Sequence, residues 1–243
     1  MSLILALRCS DAIVVASDGQ LTADTAGQPT RLPSRKLFDI GERVAWGAAG
    51  SVGLQQTLQE ELVAMNGSLA DSPPRLRERL ASTVIPIQQR GIEHFVALPG
   101  TDPPVLVCLF CWWDREGGRI LEIPRTGGDH QFHDRFAAIG TGEIFAKFAI
   151  GSLVGTEPAE LDLERAKMVA YRAVAEAIDV AAMFLGPPIQ MYVVDRDGAR
   201  AVPREELDSG LADSVGIWKA RQLEALGPLS GPSARRARLA STG

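Results

Sequence analysis

Apolar positions in this chain occur first as short runs and only later at helical spacing. Residues 2–9 and 12–17 are rich in Leu, Ile, Val and Ala and are separated by the turn-like pair Ser10-Asp11, which predicts a β-hairpin. Residues 36–40 and 44–49 flank Gly41-Glu42-Arg43 and predict a second hairpin. Four strands are therefore expected before any helix. From Ser51 to Met65 the apolar residues Val52, Leu54, Leu58, Leu62 and Val63 fall largely at helical spacing, and Asn66-Gly67 is a natural stop. Pro73-Pro74 then opens a second amphipathic segment with Leu76, Leu80, Val84, Ile85 and Ile87 as its buried positions. Pro86 is expected to kink or end it.

The stretch VLVCLFCWW at 105–113, the turn 114–118 and the run 119–123 form the clearest hairpin of the chain. Residues 132–139 are expected to add one further strand. Gly140-Thr141-Gly142 then turns into a helix. A longer helix follows over 161–182, with Ala166, Val169, Ala170, Ala173, Val174, Ala177 and Ile178 facing inward. Residues 189–195 and 199–202 close the pattern as a hairpin around Arg196-Asp197-Gly198. Tight hairpins rather than crossover units argue against a doubly wound parallel sheet. The order of strands, two helices, strands, two helices, strands predicts an α+β fold, a four-layer αββα sandwich of two antiparallel sheets flanked by helix pairs. One domain is expected over 2–204, followed by a C-terminal extension, 205–243, whose Gly, Pro, Ser and Arg-rich last part reads as a flexible tail.

Composition narrows the function classes. The chain has 243 residues, 46% of them hydrophobic and 23% charged, enough for a sizeable core without covalent staples. A formal net charge of −5 opposes a nucleic-acid binder, which carries a basic field on one face. Cys9, Cys108 and Cys111 are an odd number in apolar surroundings, so they read as reduced core thiols and favour the cytoplasm. The first residues lack the basic region of a secretory signal, and no window has the long uncharged run of a membrane span. Neither nucleic acid nor membrane is an expected partner.

What remains odd is an apolar strand that begins at the second residue and places Ser2 at the edge of the core. Three further stretches accompany it: Ala16-Ser17-Asp18-Gly19-Gln20-Leu21-Thr22, then Arg35-Lys36-Leu37-Phe38-Asp39-Ile40, then Gly47-Ala48-Ala49-Gly50. Together these resemble the catalytic β-type subunits of the proteasome family, N-terminal-nucleophile hydrolases, and the variant Asp18-Gly19-Gln20-Leu21-Thr22 is similar to that of HslV-like members. The resemblance runs from residue 2 to about residue 202.

It implies that Met1 is removed and that Ser2 carries both nucleophile and base. The hydroxyl would attack an amide carbonyl while the α-amine, ordinarily of pKa about 7.7–8.0, accepts the proton. By the same resemblance Lys36 lies beside the Ser2 hydroxyl, Asp18 holds Lys36, and the Gly50 N–H faces the oxyanion. Thr141 and Asp179 match the family's supporting hydroxyl and carboxylate around the amine. Leu21, Phe38, Ala48 and Val52 would approach an apolar pocket for the residue before the cleaved bond, and Thr22 the substrate backbone. Two departures are visible: Ser2 replaces threonine and so lacks the methyl that restricts the hydroxyl rotamer, and Ala182 stands where many members carry a further serine.

The resemblance calls for no cofactor and no metal. It implies a homo-oligomeric ring enclosing the nucleophiles, a polypeptide or amide as substrate, and an unfoldase ATPase as a partner. Two alternatives stay open, an amidase acting on a small molecule or a tag and a catalytically silent assembly subunit. His130 and His133 beside Asp129 and Asp134 look like a metal cluster, but strand positions three apart point to opposite faces. Cys108 and Cys111 are opposed in the same way. No GxSxG elbow, phosphate-binding loop or dinucleotide fingerprint is present.

Overall fold

In a computed structural model of the chain, which describes residues 2–25, 28–65, 73–95, 102–125, 130–154 and 161–226, two five-stranded antiparallel sheets lie face to face. With strands numbered in chain order, the first sheet runs β10 (Phe136–Gly140), β1 (Leu3–Arg8), β2 (Ile13–Ser17), β11 (Gln190–Asp195), β12 (Gly198–Ala201). The second runs β5 (Leu37–Ile40), β6 (Val44–Gly50), β7 (Leu106–Asp114), β8 (Gly117–Ile123), β9 (Gln131–His133). A separate hairpin pairs β3 (Gln20–Thr25) with β4 (Gln28–Pro33). Helices α1 (Val52–Ala64) and α2 (Pro73–Glu93) cover the second sheet, and α3 (Glu143–Val154) and α4 (Leu163–Val180) cover the first.

Three apolar layers hold these four layers together, and strand alternation distributes residues among them. On β1, Leu3, Leu5 and Leu7 pack toward α3 and α4, whereas Ile4 and Ala6 pack between the sheets. On β7, Cys108, Phe110 and Trp112 pack toward α1 and α2, whereas Leu109 and Cys111 face the first sheet. Both faces of these strands are buried, which is why they read as unbroken apolar runs. Cys108 and Cys111 thus sit on opposite faces of one strand, and all three cysteines are buried free thiols. His133 pairs with Glu122 of the neighbouring strand at 2.9 Å. Asp129 lies outside the described residues. Among the described residues no helix is long and apolar enough to cross a membrane.

The structure departs from the sequence pattern at four places. Six strands, not four, precede α1, because β3 and β4 form a hairpin whose mixed composition carries no period-two contrast. Pro86 does not end α2, which continues to Glu93 with Leu76, Leu80, Val84 and Ile87 buried around it. The run 132–139 is not one strand: β9 edges the second sheet and β10 the first, and Asp134-Arg135 carries the chain across. Beyond residue 204 the chain stays ordered through a π-helical turn, Glu206–Leu211, and a helix α5 (Ala212–Leu226). Leu207 and Leu211 join the core under α4, and the buried Arg172 of α4 stacks over Trp218 and donates to Gln222 of α5. The tail expected at the C-terminus falls, from residue 227 on, outside the described residues.

Candidate active site

Antiparallel pairing gathers several chain segments at one end of the sandwich. In the first sheet Leu3 stands opposite Gly140 and Ile4 opposite Ser17, so Ser2 precedes β1 where β2 and β10 end. In the second sheet Leu37 stands opposite Gly47, so Lys36 enters β5 near the last residues of β6. The two ends meet at small residues. A methyl placed on Gly47 would press on Ile4, and one placed on Gly140 would press on Ala49.

Asp18 leaves β2 fully buried and saturated. Its Oδ1 accepts the Leu3 amide N–H at 2.9 Å and the Lys36 ammonium at 2.7 Å, and its Oδ2 accepts the amides of Gln20 at 3.1 Å and Gly186 at 3.4 Å. The Lys36 ammonium therefore shares a carboxylate oxygen with the peptide group joining Ser2 to Leu3. Burial pulls the Lys36 pKa below that of an ordinary lysine, and the Asp18 charge works in the opposite direction. The Lys36 side chain is thus held in place and poorly solvated, an environment in which electrostatic interactions are stronger than in water.

The half-buried Ser2 is gripped through its backbone. Its carbonyl accepts the Gly142 N–H at 3.3 Å. Gly140 has a φ of +94°, and a side chain there would overlap that same carbonyl. Glycine is thus required at 140 both for the turn and for the approach of the N-terminus. Thr141, between these glycines, is exposed at the start of α3. Gly50 ends β6 with a φ of +126°, against the Val105 carbonyl, immediately before α1.

Of the residues expected in the substrate pocket, Phe38 is half-buried, stacks on Trp46 at 5.0 Å and carries Arg35 over its ring. Ala48 is buried beneath α1 and α2, and Val52 opens α1 with 41% of its surface exposed. Phe38 and Ala48 share the helix-facing side of the second sheet. Leu21 and Thr22 are half-buried on β3, where Thr22 accepts from Gln20 and donates to the Phe184 carbonyl at 3.3 Å. Asp179 is placed differently. Its carboxylate is exposed and takes a 3.4 Å bond from Lys219 of α5, because Ala173, Ala177 and Ala181 occupy the inward face of that part of α4. Ala182 is exposed beside it. Sequence reasoning overlooked Gln190, which reaches the Lys36 segment from β11, and Gly186, which reaches Asp18. A lone glutamine opening a strand and a glycine in a Pro-rich loop carry no local signal of either contact.

The arrangement joins a residue at the start of the chain to a buried ion pair and to two glycine-bearing strand ends. Known proteins resemble the chain over most of its length. It matches the family described as proteasome subunit over residues 2–194. It is 26% identical to a proteasome subunit beta of Methanococcus aeolicus, an alignment covering 82% of this chain and 87% of that one. It is 25% identical to a proteasome subunit beta of Mycolicibacterium vanbaalenii, covering 85% of this chain and 69% of the relative. A proteasome subunit beta 2 of Pyrobaculum calidifontis is 24% identical over 80% of this chain and 89% of its own.

Proposed function

The chain belongs to the proteasome subunit family, and from that membership we propose that it is a proteasome-type peptidase whose nucleophile is the hydroxyl of Ser2, exposed once Met1 is removed. The observation that carries this reading is the buried Lys36–Asp18 pair, bonded through Asp18 to the amide that follows Ser2. In the proposed reaction the Ser2 oxygen bonds to the amide carbon while its proton passes to the α-amine of the same residue. The Lys36 charge favours the alkoxide and lowers the proton affinity of that amine. The Gly50 N–H donates to the oxyanion and Thr141 lies beside the amine. Collapse breaks the carbon–nitrogen bond, the amine proton leaves with the departing amino group, and water then hydrolyses the acyl ester of Ser2.

Leu21, Phe38 and Val52 would receive an apolar side chain next to the cleaved bond, with Ala48 as the floor beneath them, and Thr22 would face the substrate backbone. A homo-oligomeric ring, an unfoldase ATPase partner and a cytoplasmic setting belong to the same proposal. The free buried thiols support the last of these.

The test is covalent labelling with a hydroxyl-reactive electrophile bearing an apolar group, followed by mass analysis of the intact chain and its peptides. Modification at Ser2 alone, on a chain lacking Met1, with turnover abolished in Ser2→Ala, is the expected result. Amide hydrolysis by a chain that keeps Met1, or full activity of Ser2→Ala, overturns the proposal.

A further inference from the structure

Lys36 enters β5 from a segment, 34–36, that belongs to no sheet, and β5 is an edge strand. The backbone N–H groups there have no ladder partner on the outer side, so something else must satisfy them. The Ser34 N–H donates to the Gly19 carbonyl at 2.8 Å, and the Lys36 and Leu37 N–H groups turn to one side chain. Gln190 Oε1 accepts the Lys36 N–H at 2.9 Å and the Leu37 N–H at 3.4 Å, and Gln190 Nε2 donates to the Ser34 carbonyl at 2.6 Å.

Gln190 is also placed where it bears on the other half of the ion pair. It opens β11, where it stands opposite Ser17, the residue before Asp18. Its amide therefore ties β11, the neighbour of the strand that delivers Asp18, to the segment that delivers Lys36, adding to the Ser34–Gly19 backbone bond and the Arg35–Tyr192 bond across the gap between the sheets. The ammonium end of Lys36 is held by Asp18 and the backbone end by Gln190, which together restrain a side chain with four freely rotating bonds. Arg35, Leu37, Gln190 and Tyr192 also border a cavity of about 260 Å³ beside this clamp. Arg35 is turned away from the ion pair, donating to the Leu37 carbonyl and to the Tyr192 hydroxyl.

We propose that Gln190 is a positioning residue for the Lys36 ammonium, holding the 34–37 backbone against β11 so that the charge stays on Asp18 beside Ser2. The inference rests on the reading of Ser2 and Lys36 given above.

The experiment uses the full chain with Gln190→Met, which keeps the stem and removes the amide. Its kcat is expected to fall about tenfold to a hundredfold, since small misplacements of a reacting constellation cost that much, with KM nearly unchanged. The acid limb of kcat/KM is expected to move to higher pH, because an amine with a less closely held cation binds protons more readily. Gln190→Glu, which keeps acceptors toward both amides, is expected to retain more activity than Gln190→Met. A readout independent of turnover is the ¹³Cε resonance of Lys36, assignable because the chain has four lysines. In Gln190→Met it should titrate at higher pH than in the parent, toward ordinary lysine.

Parental kcat, acid limb and Lys36 titration in Gln190→Met would overturn the assignment. Should that variant not fold, Gln190→Asn, one methylene short, takes its place in the same three measurements, where a parental result again overturns the assignment and the shifts described support it. Activity surviving Ser2→Ala instead removes the nucleophile reading, while the Lys36 titration still decides the role of Gln190.

Discussion

The Lys36 ammonium and Asp18 Oδ1 lie 2.7 Å apart inside the protein, with only 4% and 0% of their side-chain surfaces exposed. A buried pair of this kind loses much of its Coulomb gain to desolvation. Here three backbone amides also donate to the carboxylate, and one of them follows Ser2. The pair thus fastens the N-terminal strand, β3 and the loop at Gly186 to the start of β5.

Asp18→Asn leaves the Lys36 cation buried without its counter-charge. It is expected to lower stability by about 3–5 kcal/mol, measured by urea unfolding, and to shift the Lys36 titration further down. Unfolding at the parental midpoint would contradict the pairing.

Lys36→Met removes the cation while keeping an apolar stem of similar length. Under the proposed chemistry peptide turnover falls about a hundredfold to a thousandfold, the order of loss expected when one preorganised group that stabilises developing charge, here on the Ser2 oxygen, is removed. Assembly, followed by light scattering, stays unchanged. Amide donors from Leu3, Gln20 and Gly186 still satisfy Asp18 in this variant.

Gly140→Ala places a methyl at φ +94° and against the Ser2 carbonyl. Strain of this type costs about 1–3 kcal/mol, and the N-terminal residue must shift to relieve it. A fall in melting temperature accompanied by slower labelling of Ser2 is the expected outcome.

Burial raises the pKa of the Cys108 and Cys111 thiols above the ordinary value of 9.0. Their contribution to stability is therefore fully present below about pH 9. It is lost as pH rises from there toward the folded-state values, because the unfolded chain then releases protons that the folded chain retains. Cys111→Ala should flatten the fall in unfolding free energy above that pH, as read from urea titrations at a series of alkaline pH values.

Much of the architecture is written in local pattern. The run 105–113 broken by Glu116-Gly117-Gly118 announces β7 and β8 because both faces of those strands are buried. The inward stripe Ala166, Val169, Ala170, Ala173, Val174, Ala177 announces α4 because one face of that helix packs on a sheet. The family resemblance of their motifs proposes Ser2, Asp18, Lys36 and Gly50 as a site, and the fold brings their segments to one end of the sandwich. Local pattern fails where a residue's role depends on a distant partner. Asp179 looks equivalent to any helix carboxylate until the helix rotation turns it toward Lys219.

Sequence periodicity thus determined β1, β2, β5 to β8, α1, α2 and α4 and the faces they bury, since these depend on neighbours two to four positions away. Only the packed tertiary structure decided that 132–139 divides between two sheets, that Leu207 and Leu211 complete a core, and that Gln190 reaches the backbone of a lysine 154 positions earlier. Such contacts follow from how two twisted sheets meet, and the chemistry of a single side chain does not encode which backbone will face it.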